Sequence, residues 1–230
     1  MKLQTLATYS LATATGVALL TGCVTNDSPS RSHSSANSPN SARRGNIRHE
    51  KSSSASYEVR GPVSGLSVAT TAGDVRVIAS DRGGLKVTEK ITYTADKPKT
   101  SHLSRDGHVT LKDRDCRSGS CSVSYRIEIP EHLTATIVSG GGDITGAALA
   151  GRTVARTNGG DVHLSFTQAP ADIDAFSGGG DVDLALPAAT YAVRAQADGG
   201  DRVVGVRTGR NASHEVTARS NGGDVTVARR

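Results

Sequence analysis

Aromatic side chains are scarce in this chain of 230 residues, which has no tryptophan, two phenylalanines and five tyrosines. Aromatics bury roughly 150–250 Å² each and dominate ordinary cores. Their shortage excludes a thick globular core and implies a thin one of small and branched aliphatics. It also removes the stacking platforms on which single-stranded nucleic acid lies. No uninterrupted run of about 20 apolar residues, the length of a membrane-spanning helix, occurs anywhere. Cysteine is rare and odd in number, with three, so a fully paired disulfide framework is excluded and one thiol needs another explanation. Charge has no strong bias: 27 basic residues, 20 of them arginine, against 22 acidic ones leave +5. Such a balance bears on partners and solubility and says nothing about fold. What the chain does have is glycine, 26 of them.

The N-terminus reads as an export signal. Lys2 precedes a mostly apolar stretch from Leu6 to Leu20, interrupted by Thr8, Tyr9, Ser10 and Thr13. This is too short and polar for a stable span but suits a signal-peptide core. It runs into Leu20-Thr21-Gly22-Cys23, which resembles the bacterial lipobox, where the cysteine thiol receives a diacylglyceryl group and a peptidase cuts just before it. The resemblance implies removal of residues 1–22 and a lipid on Cys23. An ordinary secretory signal with a coincidental cysteine is the rival reading. Residues 23–56 are rich in Ser, Asn, Arg and His, with Pro29, Pro39 and almost no aliphatics. They cannot bury enough surface to offset chain entropy, so a disordered tether is expected, spanning on the order of 30 Å. Its Arg43, Arg44, Arg48 and Lys51 either rest on anionic lipid or wall polymer or simply keep the tether soluble.

The remainder, residues 57–230, is a repeat. One phrase recurs six times around Asp74, Asp143, Asp161, Asp181, Asp201 and Asp224, and the last five are spaced 18, 20, 20 and 23 residues apart. Self-similarity near this period is the signature of a solenoid or strand array. Eight residues before each aspartate stand Leu66, Ala135, Thr153, Ile173, Val193 and Val216, and six before stand Val68, Ile137, Ala155, Ala175, Ala195 and Ala218. Four before come Thr70, Ser139, Thr157, Ser177, Ala197 and Ser220. Intervening positions are mostly polar, so the period is two and the segments are strands with one buried face. Alternation resumes after the aspartate, as in Val162 with Leu164 and Val182 with Leu184, while Arg202 breaks it and suggests a local slip or bulge. The expected fold is all-β, a parallel β-solenoid or β-helix-like array with Gly-Gly-Asp corners. Stacked in register, the alanine and Ser/Thr columns become internal ladders, and their small size implies a narrow cross-section.

A looser block covers residues 85–130, where Leu85 to Tyr93, His108 to Leu111 and Ser122 to Ile129 alternate as strands. Between the last two, Cys116 and Cys121 flank a four-residue loop containing Gly119. A hairpin there would put the two cysteines opposite each other within disulfide reach, a closure worth roughly 2 kcal/mol in the entropic account. A metal site is the rival reading, but two cysteines without a second pair or nearby histidines make a poor zinc site.

The lipobox, the cysteine loop leading into Tyr125-Arg126-Ile127-Glu128-Ile129-Pro130, and the serial strand-Gly-Asp-Val-strand units together resemble the adhesin-like family of β-strand-repeat bacterial envelope proteins. The resemblance covers residues 57–230. It implies a parallel β-solenoid on the cell surface, and a link of some members to envelope-stress signalling, but no defined chemistry.

The six aspartates invite two functional readings. Calcium prefers oxygen ligands, yet the calcium β-roll repeats every nine residues with three glycines before the aspartate, unlike this spacing. Glycoside cleavage needs two carboxyls of unlike pKa roughly 5–9.5 Å apart in a cleft, and equivalent corner residues offer no such asymmetry. A structural corner cap is the favoured reading. No hydrolase elbow is present, and the seven histidines are scattered, with only His163 inside a well-defined repeat, on an outward position. The expectation is a non-enzymatic protein without cofactor or metal. It would be lipid-anchored on the outer face of the cell membrane, contacting wall polymer or an envelope protein and not nucleic acid. The alternatives are a polysaccharide-active enzyme on the same scaffold or a component of an envelope-stress sensor.

Overall fold

The computed structural model describes residues 49–114, 116 and 121–230. The signal peptide, Cys23 and most of the expected tether lie outside the described residues. In chain order the strands are β1 Lys51–Val59, β2 Gly65–Thr70, β3 Val75–Ser80, β4 Leu85–Tyr93, β5 Lys99–Arg105 and β6 His108–Arg114. They continue with β7 Cys121–Pro130, β8 Thr134–Ser139, β9 Ile144–Leu149, β10 Thr153–Thr157, β11 Val162–Phe166 and β12 Asp172–Ser177. The last are β13 Val182–Leu186, β14 Thr190–Ala197, β15 Arg202–Val204, β16 Arg207–Thr208, β17 His214–Ser220 and β18 Val225–Arg229.

These form two nine-stranded, mostly parallel sheets, and no helix occurs among the described residues. The first sheet runs β1-β4-β7-β3-β9-β11-β13-β18-β15 and the second β16-β14-β17-β12-β10-β8-β2-β6-β5. Each Gly-Asp segment lies where the chain leaves the second sheet and enters the first, as from β10 to β11 or from β12 to β13. One such strand, crossing and strand is called a coil below. The columns fall inside as the alternation requires: Leu66, Ala135, Thr153, Ile173 and Val216 are buried, as are Val75, Ile144, Val162, Val182 and Val225. Thr70, Ser139, Thr157, Ser177 and Ser220 are buried beside them. Tyr125 continues the Val75 column, and Phe166 and Tyr191 are also fully buried; the rest of the interior between the two sheets is filled by Val, Ile, Leu and Ala.

Four features differ from the sequence reading. The domain begins earlier than residue 57: β1 takes residues 51–56 out of the expected tether and pairs them antiparallel with β4, from Lys51 opposite Tyr93 to Val59 opposite Leu85. Its polar composition fits an edge strand, because only Tyr57 and Val59 pack toward the core. The array is also not wholly parallel, since β4 with β7 and β5 with β6 pair antiparallel. The β5–β6 hairpin turns on Asp106 and Gly107, at φ 51° and 74°, the left-handed pair that a two-residue turn demands. Third, Cys116 and Cys121 are bonded, with Cα atoms 5.6 Å apart, but not across a hairpin. Strands β6 and β7 belong to different sheets, so the bridge closes a passage between sheets, the place taken by Gly-Gly-Asp elsewhere. Fourth, Arg202 causes no slip: it lies in register beside Val225, and Val204 beside Val227. The irregularity is instead on β9, where Ala148 adopts φ 57° and the register with β11 shifts between Leu164 and Phe166.

The coils do not stack in chain order. The β2/β3 coil lies between β6/β7 and β8/β9, and the β17/β18 coil lies between β12/β13 and β14/β15. Burial explains the second exchange. The Asp224 coil supplies Val216, Ala218, Val225 and Val227, all fully buried. The Asp201 coil has Arg202 in the valine column, and its Val203 is 54% exposed. The coil with the better apolar face sits inside, and the poorer one covers the end.

Candidate functional site

The six aspartates come together along one side of the array as a hydrogen-bonded file. The Asp143 N–H donates to Asp74 Oδ1 at 3.1 Å, Asp161 to Asp143 at 2.9 Å, Asp181 to Asp161 at 2.8 Å, Asp224 to Asp181 at 2.8 Å and Asp201 to Asp224 at 2.7 Å. The backbone runs beside it, with Ile144 N–H donating to Asp161 O and Val162 N–H to Asp181 O, both at 2.8 Å. At one end the Asp74 N–H is taken up by Ser124 Oγ at 3.1 Å. At the other end stands Asp201, whose carboxylate receives no N–H from a further coil among the described residues.

A second file runs inside the first. Ser139, Thr157, Ser177 and Ser220 each donate the hydroxyl to a glycine carbonyl of the neighbouring coil, namely Gly73, Gly142, Gly160 and Gly180, at 2.7–3.1 Å. Each hydroxyl also accepts the N–H of the glycine three residues on in its own coil, as from Gly180 to Ser177 at 2.8 Å. The glycines are required by space, since a Cβ on Gly160 would lie 2.5 Å from the Gly142 carbonyl carbon and oxygen. In the last coil the column residue is Ala197, and this second file ends.

On the outer faces the charges are matched between coils: Arg152 with Asp172 at 2.8 Å, Arg156 with Asp174, and His163 with Asp183 at 3.0 Å. The cationic partners are exposed and the carboxylates half-buried or exposed, so each pair is worth about 0–1 kcal/mol. His163 is exposed as expected, and His102, His108 and His214 engage Tyr57, Ser67 and Pro170 separately. Among the described residues no three His, Cys, Asp or Glu side chains converge to hold a metal ion.

One polar cluster was not singled out from the sequence. Glu89 stands at an inward position of β4, between buried Val87 and Ile91, and is itself buried. It accepts the Tyr57 hydroxyl at 2.9 Å and the Thr100 hydroxyl at 3.0 Å, so it ties both sheets together. Tyr125, directly opposite Glu89 in register, has a buried hydroxyl without a partner among the described residues. The signal was available as a carboxylate breaking an apolar alternation. Burial raises the Tyr57 phenol well above its ordinary value near 10, helped by the hydrogen bond and negative charge of Glu89. Burial likewise raises Tyr125, with the charges of Glu89 and Asp113 adding to it. A phenol whose folded pKa is raised stabilises fully below about pH 10, and that stabilisation falls as the unfolded chain ionises above it. The protein is therefore expected to lose stability above about pH 10, and Tyr57→Phe to flatten that loss. Urea unfolding between pH 8 and 11 checks this (about one step per pH unit); identical slopes for both proteins refute it.

The last coil carries an open hollow. A cavity of about 720 Å³ is lined by Val193, Arg194, Arg202, Val204, Val206 and Arg210 among others. Beside it a second hollow of about 350 Å³ is lined in part by Val206, Arg207 and Arg229.

Comparison with known proteins gives a family match over residues 126–228, to the Toastrack DUF4097 family. No curated protein matches the sequence. Among solved structures, a candidate cell adhesion protein from Clostridium sporogenes superposes with a TM-score of 0.59 at 16% identity, covering 78% of this chain and 100% of that one. A candidate adhesin from Bacteroides fragilis gives a TM-score of 0.36 at 13% identity, covering 80% and 99%. The first establishes a shared fold.

Proposed function

We propose, from the match of residues 126–228 to the Toastrack DUF4097 family, that this chain is a non-catalytic scaffold of the bacterial cell envelope, displaying its strand faces and its last coil to a partner. The observation that carries this reading is the aspartate file. Each of the first five carboxylates along it already accepts the N–H of the neighbouring coil. The Gly-Gly-Asp segments are corners and their aspartates caps, which commits the most repeated acidic group of the chain to holding coils together. Stacked coils with small interiors give a rigid strut with broad outward faces, a form suited to binding extended partners.

In this reading residues 1–22 direct export, Cys23 carries the lipid, and the segment after it holds the array away from the outer face of the membrane. The test is metabolic labelling with a clickable palmitate together with protease shaving of intact cells. The wild type is expected to incorporate the lipid, partition with membranes and be shaved. Cys23→Ala is expected to incorporate none and to leave the membrane fraction. Membrane retention of the variant without label on the wild type overturns the anchor.

A further inference from the structure

The last coil differs from the inner ones in burial, and it gathers arginines around two hollows. On inner coils some arginines face carboxylates, with Arg152 meeting Asp172, Arg156 meeting Asp174 and Arg82 held by Glu58 and Glu128, while Arg76, Arg126 and Arg219 stand singly on strand faces with none within ion-pairing distance among the described residues. On the last coil Arg194 has Glu215 at 3.7 Å, but Arg202, Arg207 and Arg210 have no carboxylate within ion-pairing distance among the described residues. Arg194, Arg202 and Arg210 line one cavity with Val193, Val204 and Val206, and Arg207 and Arg229 line the next, with Val206 shared between the two.

A charged residue at an inward position of an edge strand discourages a further strand from adding. That accounts for Arg202 alone. It does not account for Arg210, which comes from the turn after β16 and lines the same hollow, nor for a second arginine-lined hollow alongside. Guanidinium groups bind oxyanions through paired N–H donors. Two adjacent hollows, each lined by arginine and by apolar side chains, match a ligand that repeats its anionic group along a chain.

We infer that the last coil binds a polyanionic envelope polymer whose repeating unit carries a phosphodiester. The inference rests on the envelope-facing reading above and narrows its partner to a chemical class. A phosphodiester carries two charged oxygens at tetrahedral angles, which more than one guanidinium around a hollow can engage at once. Position favours a polymer over the anchoring bilayer. In the first sheet β15 is eight strand spacings from β1, about 38 Å. A chain anchored ahead of β1 carries the hollows at its far end.

The test uses the full chain in nonionic detergent and a fluorescently labelled poly(glycerol phosphate) oligomer, read by anisotropy. Binding is expected to weaken from about 50 to 200 mM salt as charge contacts are screened. The double variant Arg202→Gln/Arg210→Gln is expected to bind at least about tenfold more weakly with a shallower salt dependence. The double variant Arg152→Gln/Arg156→Gln, on the side face, is expected to stay within about twofold of wild type. Arg202 and Arg210 are both exposed, so thermal melts of the first variant are expected to overlay the wild type, and a matched melt makes its lost binding interpretable. Equal weakening by both double variants, no binding by the wild type, or tighter binding to polygalacturonate or to phosphatidylglycerol vesicles overturns the assignment. A protein that is shaved from intact cells yet binds no polymer refutes the ligand class alone. One that never reaches the exterior refutes the envelope reading itself.

Discussion

Gly160→Ala is expected to destabilise the array by about 3 kcal/mol or more, at the upper end of overpacking costs. A methyl group there would lie 2.5 Å from both the carbon and the oxygen of the Gly142 carbonyl, and 2.6 Å from Asp143 Oδ1. Carbonyl and carboxylate are both fixed, because Gly142 O accepts the Thr157 hydroxyl and Asp143 Oδ1 accepts the Asp161 N–H. No flexible side chain can give way, so the coils must separate and both hydrogen-bonded files lengthen at that level. The neighbouring Gly141→Ala is the matched control. Its Cβ would meet nothing within 4 Å, and its cost should stay within about 0.5 kcal/mol. For a domain of this size the first change corresponds to a fall of roughly 6–12 °C in Tm. Calorimetry on the two variants decides the matter: similar melting points for both would mean that coil spacing does not depend on glycine.

Ser177→Ala is expected to cost about 2–4 kcal/mol, from two backbone groups left without their partner at roughly 1–3 kcal/mol each, less what relaxation recovers. The Ser177 hydroxyl is fully buried. It donates to Gly160 O at 2.7 Å and accepts from Gly180 N–H at 2.8 Å. Ser177→Thr should recover most of the loss, because Thr157 fills the same column with the same two bonds. Denaturant titration of the three proteins is the measurement. A threonine variant no better than the alanine one would show that volume, not the hydroxyl, sets the cost. The last coil shows what the array looks like without the group: Ala197 lies in this column only where no further coil follows it in the second sheet except the two residues of β16.

The repeat was legible because its signal is local. Alternation over six to eight residues put Ile173, Ala175 and Ser177 on one face, and the structure buries all three. The spacing of the aspartates likewise implied a stack, and the structure files them along one side. The order of the stack was not legible, because a parallel coil offers the same backbone pattern to any neighbour and only side-chain burial ranks the choices. Arg202 carried that information, and reading it as a bulge missed its meaning as an end position. The cysteine loop misled for a related reason: a short loop between two alternating segments has the same appearance whether it turns back within one sheet or crosses to another. Two signals were present and unused. Asp106-Gly107 marks a hairpin, and Glu89 interrupts the apolar alternation of β4. β1 was hidden by its serine-rich composition, since an edge strand that buries little gives almost no pattern.

The exchange of places between the final two coils makes residues 214–229 a keystone. β15 has no ladder partner except β18, and β14 is held by β17 and by the two residues of β16. The stretch that emerges first, 190–208, therefore has almost nothing to dock on until the stretch after it has arrived and wedged itself against β12 and β13. An ordinary repeat protein can zip up one unit at a time behind the ribosome or the export channel. Here the outermost unit must wait for its successor, so the arginine-bearing end is the last portion of the array to become ordered, and it does so together with the unit beneath it in a single step.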